Sequence, residues 1–344
     1  MIEKIIKYSK EISIGLIVLL IALGIGTLSL KEYFYKKDEL KTEEKEKTKE
    51  KENKESQSTP LLYKVTKDDS DIIMYLFGSI HVADDRAYPL PEKVLSAYKD
   101  SDYLAVEFDM ISYANDFNAQ VESLKTLVLN DGTMAKDHLS EETYSLLVGY
   151  LKENKMYNSM YDYYKPAIYY SLVSSIQTEL TKLDSSLGID MYFLEKAHDE
   201  KKQILEVESA NSQYEMLGSL PDKLIDFLIN STIKNEELMI EETNDLYEAW
   251  LAGNEKYVVN TINSENDEEL MKDYDYYKEL VTMMENYNKV LIDDRNVTMT
   301  NKAIQYFEEG KNVFYVVGLA HIVGEGAIAD RLEKAGYTIE LIEY

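Results

Sequence analysis

The sequence predicts an α/β fold with a largely parallel or mixed central sheet, a large helical insertion, and one transmembrane helix ahead of the body. Two stretches, Ile72–His81 and Asn312–His321, look like copies of each other: each is a β-prone apolar run that stops at glycine and places a histidine three residues on. Strand-like runs alternate with long helical stretches, a pattern that lays strands side by side through helical crossovers. Ahead of them Ile12–Leu30 runs for 19 residues without a charge, dominated by Ile, Leu, Val, Ala and Gly.

Residues 1–11 form a short basic stub holding Lys4, Lys7 and Lys10. The uncharged run at 12–30 is long enough to cross a hydrocarbon core of ~30 Å at ~1.5 Å per residue. It exceeds the apolar stretch of a signal peptide, and Ala22 and Gly24 make a poor cleavage match, so it reads as an uncleaved signal anchor. Lysines follow the span as well as precede it, and counting them alone would keep the body inside the cell. That rule weakens for large trailing domains, and a basic stub before an apolar run has the form of an export signal, so the body is expected outside the cytoplasm at a single-pass membrane anchor. Residues 31–60 are a Lys/Glu-rich linker with almost nothing from which to build a core.

The body, residues 61–344, is expected to be one α/β domain. Strands are predicted at Leu61–Val65, Ile72–Phe77, Tyr103–Phe108, Gln203–Val207, Val313–Val317 and Tyr337–Ile342. Helices are predicted at Pro91–Lys99, Tyr163–Thr181, Gly188–Lys201, Glu236–Leu251, Val290–Glu309 and Gly324–Lys334. Each glycine-to-histidine stretch thus opens a strand–helix–strand unit, and the two units are expected to be equivalent, with the helical middle as an insertion.

Composition narrows the chemistry. Cysteine is absent, which excludes disulfides, thiolate metal ligands and a cysteine nucleophile. Of the net charge of −27, the first 59 residues contribute almost nothing, with 12 Lys against 11 Asp and Glu. The remainder holds 25 basic and 53 acidic groups, a body that repels nucleic acid and suits cationic peptides or metal ions. Lys outnumbers Arg 34 to 3, so each arginine deserves inspection.

In open parallel sheets, ligands bind beyond the carboxyl ends of the strands. Gly78 and Gly318 end their strands, let the chain turn there, and send His81 and His321 from that edge. Two imidazoles so placed are a plausible pair of metal ligands, although a hydrolytic centre needs a third protein ligand and an open position. Glu107 and Glu208 emerge at two further strand ends, with Asp109 close by. Arg295 stands just before the second unit, where it could pair with a carboxylate or stabilise an oxyanion; an ordinary pairing with Asp293 or Asp294 is the plainer alternative. His138 and His198 have no such context and read as surface histidines. The 29 tyrosines read mostly as core and rim packing.

Six segments, Gly78–His81, Val106–Asp109, Gly188–Asp190, Val207–Gln213, Asp294–Asn296 and Gly318–Gly324, occur in an order that resembles the TraB/PrgY/GumN family, which is related to the Tiki metalloproteases. The resemblance covers roughly residues 61 to 344. It implies a metal-dependent peptidase-like domain in which the two histidines, a glutamate and an arginine are functional: His81, His321, Glu107 and Arg295, with Glu208 as a further candidate. Ser79 departs from the threonine common at that position but keeps the hydroxyl. The resemblance also implies an association with peptide signals, inactivated by cleavage or by capture.

The leading expectation is a membrane-anchored peptidase in which a divalent ion (Mn, Co or Zn) is held by His81, His321 and Glu107, with Glu107, Glu208 and Arg295 as catalytic residues. Which glutamate is ligand and which is base stays open at this level. A module that sequesters peptides without cleaving them, and a hydrolase of non-peptide esters or amides, are the alternatives. No nucleophile elbow, His-Glu-x-x-His helix, Walker loop or dinucleotide fingerprint is present.

Overall fold

The computed structural model describes residues 56–262 and 271–344. The basic stub, the expected transmembrane anchor and most of the linker therefore lie outside the described residues. Within them no helix is long and apolar enough to cross a membrane.

Six strands form one mixed sheet: β1 (Leu62–Thr66), β2 (Met74–Ser79), β3 (Tyr103–Val106), β4 (Gln203–Glu206), β5 (Val313–Gly318) and β6 (Thr338–Leu341), in the order β4-β3-β5-β2-β1-β6. β3 pairs in parallel with both β4 and β5, and β5 with β2. β1 is antiparallel to β2 and to β6, so β1 alone opposes the other five. β2 and β5 sit inside the sheet with nearly every residue buried, which is why both read as unbroken apolar runs. The edge strands β4 and β6 are largely exposed and correspondingly more polar.

The helices are α1 (Glu92–Asp100), α2 (Met110–Asn115), α3 (Phe117–Lys125), α4 (Glu141–Glu153), α5 (Ala167–Leu180), α6 (Ile189–Glu200), α7 (Ala210–Gly218), α8 (Asp222–Lys234), α9 (Glu236–Leu251), α10 (Glu255–Ile262), α11 (Tyr277–Asn288), α12 (Asp294–Glu308) and α13 (Ile328–Lys334). The helical middle falls into two parts, α2–α6 between β3 and β4 and α7–α12 between β4 and β5. It packs largely on itself, with α8 against α4, α5 and α11. Among the predicted helices, the one expected from Gly324 starts at Ile328, and two others change for local reasons. The helix expected from Tyr163 starts at Ala167, because Pro166 lacks an N–H and suits a helix start better than an interior. The helix expected over Val290–Glu309 is continuous with α11 through a π turn at Lys289–Asp293.

The two strand–helix–strand units are not equivalent. In β2–α1–β3 the crossover passes one strand, β5; in β5–α13–β6 it passes two, β2 and β1. The consequence is direct contact between the two motifs, since β2 and β5 are neighbours over their whole length. Their register pairs Gly78 with Val317 and Ser79 with Gly318, one residue out of step.

An aromatic cluster locks this region. The Phe77 and Phe314 rings of β2 and β5 stack at 5.6 Å, and Phe193 of α6 lies 4.8 Å from Phe314 and 5.8 Å from Phe77. Trp250 of α9 meets Phe77 at 6.5 Å and donates its indole N–H to the Gly78 carbonyl at 2.8 Å. Pairs of this kind add about 0.5–1.5 kcal/mol each beyond burial. They hold α6 at a set distance from the ends of β2 and β5.

Candidate active site

Past the end of β2, His81 is buried, and its Nδ1 lies 2.6 Å from Asp190 Oδ2, in the first turn of α6. The other Asp190 oxygen accepts from the Ser79 hydroxyl at 2.6 Å. Gly188, the residue before α6, makes this approach possible: a Cβ there would stand 2.3 Å from the His81 carbonyl oxygen. Burial opposes charge on Asp190, yet His81 and Ser79 hold its carboxyl below the usual range, so it is an acceptor and His81 donates through Nδ1. For His81 burial pulls downward, but Asp190, with a smaller contribution from Glu107, raises the imidazole above its ordinary value.

His321 follows β5 in a short 3-10 turn and is fully buried. Its Nδ1 lies 2.8 Å from Asn296 Oδ1 in α12, while the Asn296 amide nitrogen donates to Gly326 O at 3.3 Å. That second bond orients the amide, so His321 also donates through Nδ1. Burial, then the Arg295 guanidinium and His81, push His321 well below its ordinary value, leaving it neutral. Nε2 of both rings is buried and has no hydrogen-bond partner among the described residues.

Beside His321, past the ends of β3 and β4, lies a charged cluster. β3 and β4 stay paired past their strand ends, with Val207 N–H donating to Val106 O and Glu208 N–H to Glu107 O, which sets the two glutamates side by side. Arg295 Nη2 donates to Glu107 Oε2 at 2.7 Å and to Glu208 Oε2 at 2.9 Å; Nε donates to Glu208 Oε1 at 2.9 Å. Gln213 of α7 bridges the same two carboxylates at 3.1 and 3.0 Å. Burial disfavours the guanidinium charge, but Glu107 and Glu208 outweigh it, and Arg295 is held more strongly protonated than usual. Arg295 is therefore not the surface partner of Asp293 or Asp294.

The strand-end glycines provide space rather than a turn. Neither Gly78 nor Gly318 has positive φ. A Cβ on Gly78 would meet Leu319 Cδ1 at 2.3 Å, and one on Gly318 would stand 3.5 Å from Glu107 Oε1 and 3.7 Å from His321 Cδ2. The Gly318 backbone N–H donates to Glu107 Oε1 at 3.1 Å. Glu107 and His321 thus converge over the glycine.

The structure brings Glu107, Glu208 and Arg295 into direct contact, with His321 beside them and His81 on the neighbouring strand. The two imidazoles fit a metal in type, burial and second partner, since a ligating histidine commonly donates its other nitrogen to a carboxylate or an amide oxygen. The expected third ligand is not assembled. Among the described residues no group of three or more His, Cys, Asp or Glu is spaced to hold an ion, and the Glu107 oxygens accept from Gly318, Gln213 and Arg295.

Sequence reasoning singled out neither Asp190, Asn296 nor Gln213 individually, although all three fall in the quoted segments. The other two histidines are pins rather than bare surface groups. His198 bonds Asp109 through Nε2 at 2.8 Å, and Asp109 caps α2; His138 links Asp222 at 2.9 Å to Thr133 at 2.6 Å.

Comparison with known proteins finds distant relatives and a family. An uncharacterized protein YbaP of Escherichia coli is 25% identical over 258 residues, 75% of this chain and 87% of that protein. A metalloprotease TIKI homolog of Nematostella vectensis is 22% identical over 317 residues, and metalloprotease TIKI1 of Xenopus tropicalis is 24% identical over 319. These alignments cover 78% and 83% of this chain but only 64% and 62% of the TIKI proteins, so the chain spans somewhat less than two thirds of their length. No solved structure matches the chain. The TraB/PrgY/gumN family model matches residues 61–341, the whole sheet and both histidine motifs, and the chain belongs to that family.

Proposed function

We propose that this protein is a membrane-anchored, metal-dependent peptidase-like hydrolase acting on peptides or exposed protein segments, the inactivation of peptide signals among its roles. The observation that carries it is the pair of buried imidazoles on neighbouring strands, each held through Nδ1 and each with an Nε2 that has no hydrogen-bond partner among the described residues, beside a carboxylate–guanidinium cluster. The distant TIKI metalloproteases support the reaction class. His81 and His321 would hold a divalent ion (Mn, Co or Zn) through Nε2, and Glu107 would serve as acidic ligand by giving up one of its bonds to Gly318, Gln213 or Arg295. Such an ion supplies Lewis acidity and an activated water.

The chain's own residues then have defined tasks. Asp190 and Asn296 keep the lone pairs of His81 and His321 on Nε2. Glu208, or Glu107 if it is not a ligand, takes up the proton of the attacking water at a carboxylate oxygen. Arg295 holds both carboxylates in place and, being permanently charged, stabilises negative charge as it develops on the substrate carbonyl oxygen. The apolar run at 12–30 would anchor the body at the membrane, the body lying outside the cytoplasm.

One observation favours the non-catalytic alternative, capture of a peptide without cleavage. Both carboxylates are engaged by Arg295 and Gln213, so neither stands free as a base.

A cleavage assay on a peptide library decides between them. Turnover should appear with Mn, Co or Zn, vanish on chelation, and fall by at least about a hundredfold in His81→Ala and in His321→Ala. Peptide binding that persists with no cleavage under any of the three metals would establish capture, and cleavage confined to esters would point to the non-peptide hydrolase.

A further inference from the structure

Three buried side-chain atoms at this site have no hydrogen-bond partner among the described residues, Nε2 of His81, Nε2 of His321 and Oε1 of Gln213, and neither does the hydroxyl of Tyr287, on the helix that runs on into the one carrying Arg295. The imidazoles are accounted for by metal binding. The other two are not, and buried polar atoms without partners are uncommon in folded proteins.

Gln213 is 3% exposed. Its amide nitrogen donates to Glu107 Oε2 and to Glu208 Oε2, which uses both of its N–H groups. Turning the amide over would set its oxygen against two carboxylates, so Oε1 is forced to face the other way. It is an acceptor held rigidly, with no donor.

Tyr287 stands near the end of α11 and is 7% exposed. Tyr287, Leu291 and Arg295 follow at steps of four, all buried, and the π turn at Lys289–Asp293 is wide enough to keep that step on one face. Arg295 Nη1 donates to the Leu291 carbonyl at 3.4 Å, and Tyr287 lies about two turns before Arg295 on the same continuous helix. Burial raises the phenol above its ordinary value, with Arg295 pulling the other way, and it stays a neutral O–H donor.

We propose that Gln213 Oε1 and the Tyr287 hydroxyl read the backbone of a bound peptide, Gln213 accepting an amide N–H and Tyr287 donating to an amide C=O. A peptide bond offers one donor and one acceptor, and the site has one of each unmatched. An ester places a lone pair where the amide has its N–H and would meet Gln213 oxygen to oxygen. The inference deepens the peptidase reading, on which it rests, by naming a secondary amide as the group recognised.

The test uses the full chain with added Zn and two fluorescein-labelled random heptapeptide pools, one natural and one N-methylated at every amide. Binding is followed by fluorescence polarisation and cleavage by amine release. The wild type should bind the natural pool about tenfold or more tightly than the methylated one. Gln213→Met should bring the two pools to within about threefold of each other. Tyr287→Phe should keep the preference between pools but lose about tenfold in affinity or rate on both, because both retain C=O.

An unchanged ratio between pools in Gln213→Met would overturn the proposal, leaving Gln213 as a brace for the two carboxylates. Should Gln213→Met fail to fold, a Tyr287→Phe protein indistinguishable from wild type on both pools would overturn it equally. If the wild type cleaves neither pool, the hydrolase reading fails, and the binding ratio still decides this one.

Discussion

Asp190 does for His81 what Asn296 does for His321, with a full charge in place of a dipole. Both hold a ring by Nδ1 and leave Nε2 without a hydrogen-bond partner among the described residues. The difference matters for basicity: His81 is raised above its ordinary value by the carboxylate, while His321, buried and facing Arg295, is driven well below. Asp190→Asn keeps a hydrogen-bond acceptor and removes the charge. It should weaken divalent-metal binding by about 10–100-fold, as measured by competition with a chromogenic chelator. An effect below about threefold would mean that orientation alone, not charge, is what Asp190 supplies.

Among the elements, the start of α6 is the most constrained. Gly188 lets α6 come against the His81 backbone, and the Ile189 N–H donates to the Ile80 carbonyl at 2.9 Å. The atoms that an added methyl would meet are backbone, which cannot swing aside. Gly188→Ala should therefore destabilise the body by about 1–3 kcal/mol in urea unfolding and displace His81, with loss of metal binding. Gly149, in the interior of α4 with nothing within 4 Å of its would-be Cβ, is the control. There the same substitution should gain up to about 1 kcal/mol. Equal effects at the two positions would show that α6 can retreat without cost.

For the whole molecule, charge is the property that no single site contains. Residues 60–344 carry 53 acidic against 25 basic groups. A field of that sign draws cations toward every cleft and repels acidic ligands, most strongly when the Debye length is long. Association of a Lys-rich peptide should slow by about tenfold between 10 mM and 500 mM NaCl, while that of an acidic peptide of equal length should speed up. Stopped-flow fluorescence reads both, and two flat salt profiles would remove electrostatic steering from the account.

Short-range pattern made much of this architecture legible. Apolar runs at Met74–Ser79 and Val313–Gly318 are strands because buried neighbours on both faces demand uninterrupted apolar residues, and glycine followed three residues later by histidine marked their ends. Helix spans such as Glu236–Leu251 needed only local periodicity. The tertiary structure decided what no local pattern encodes. β5 lies between β2 and β3, so the two units are adjacent without being equivalent. Asp190 reaches His81 across 109 positions and Arg295 reaches Glu107 across 188, pairings that only chain folding can set. The sequence by itself marked the candidate residues and the strand ends that present them. Which of them meet, Glu107 with Arg295 among them, was decided in three dimensions, because hydrogen bonds and ion pairs depend on distance in space and not along the chain.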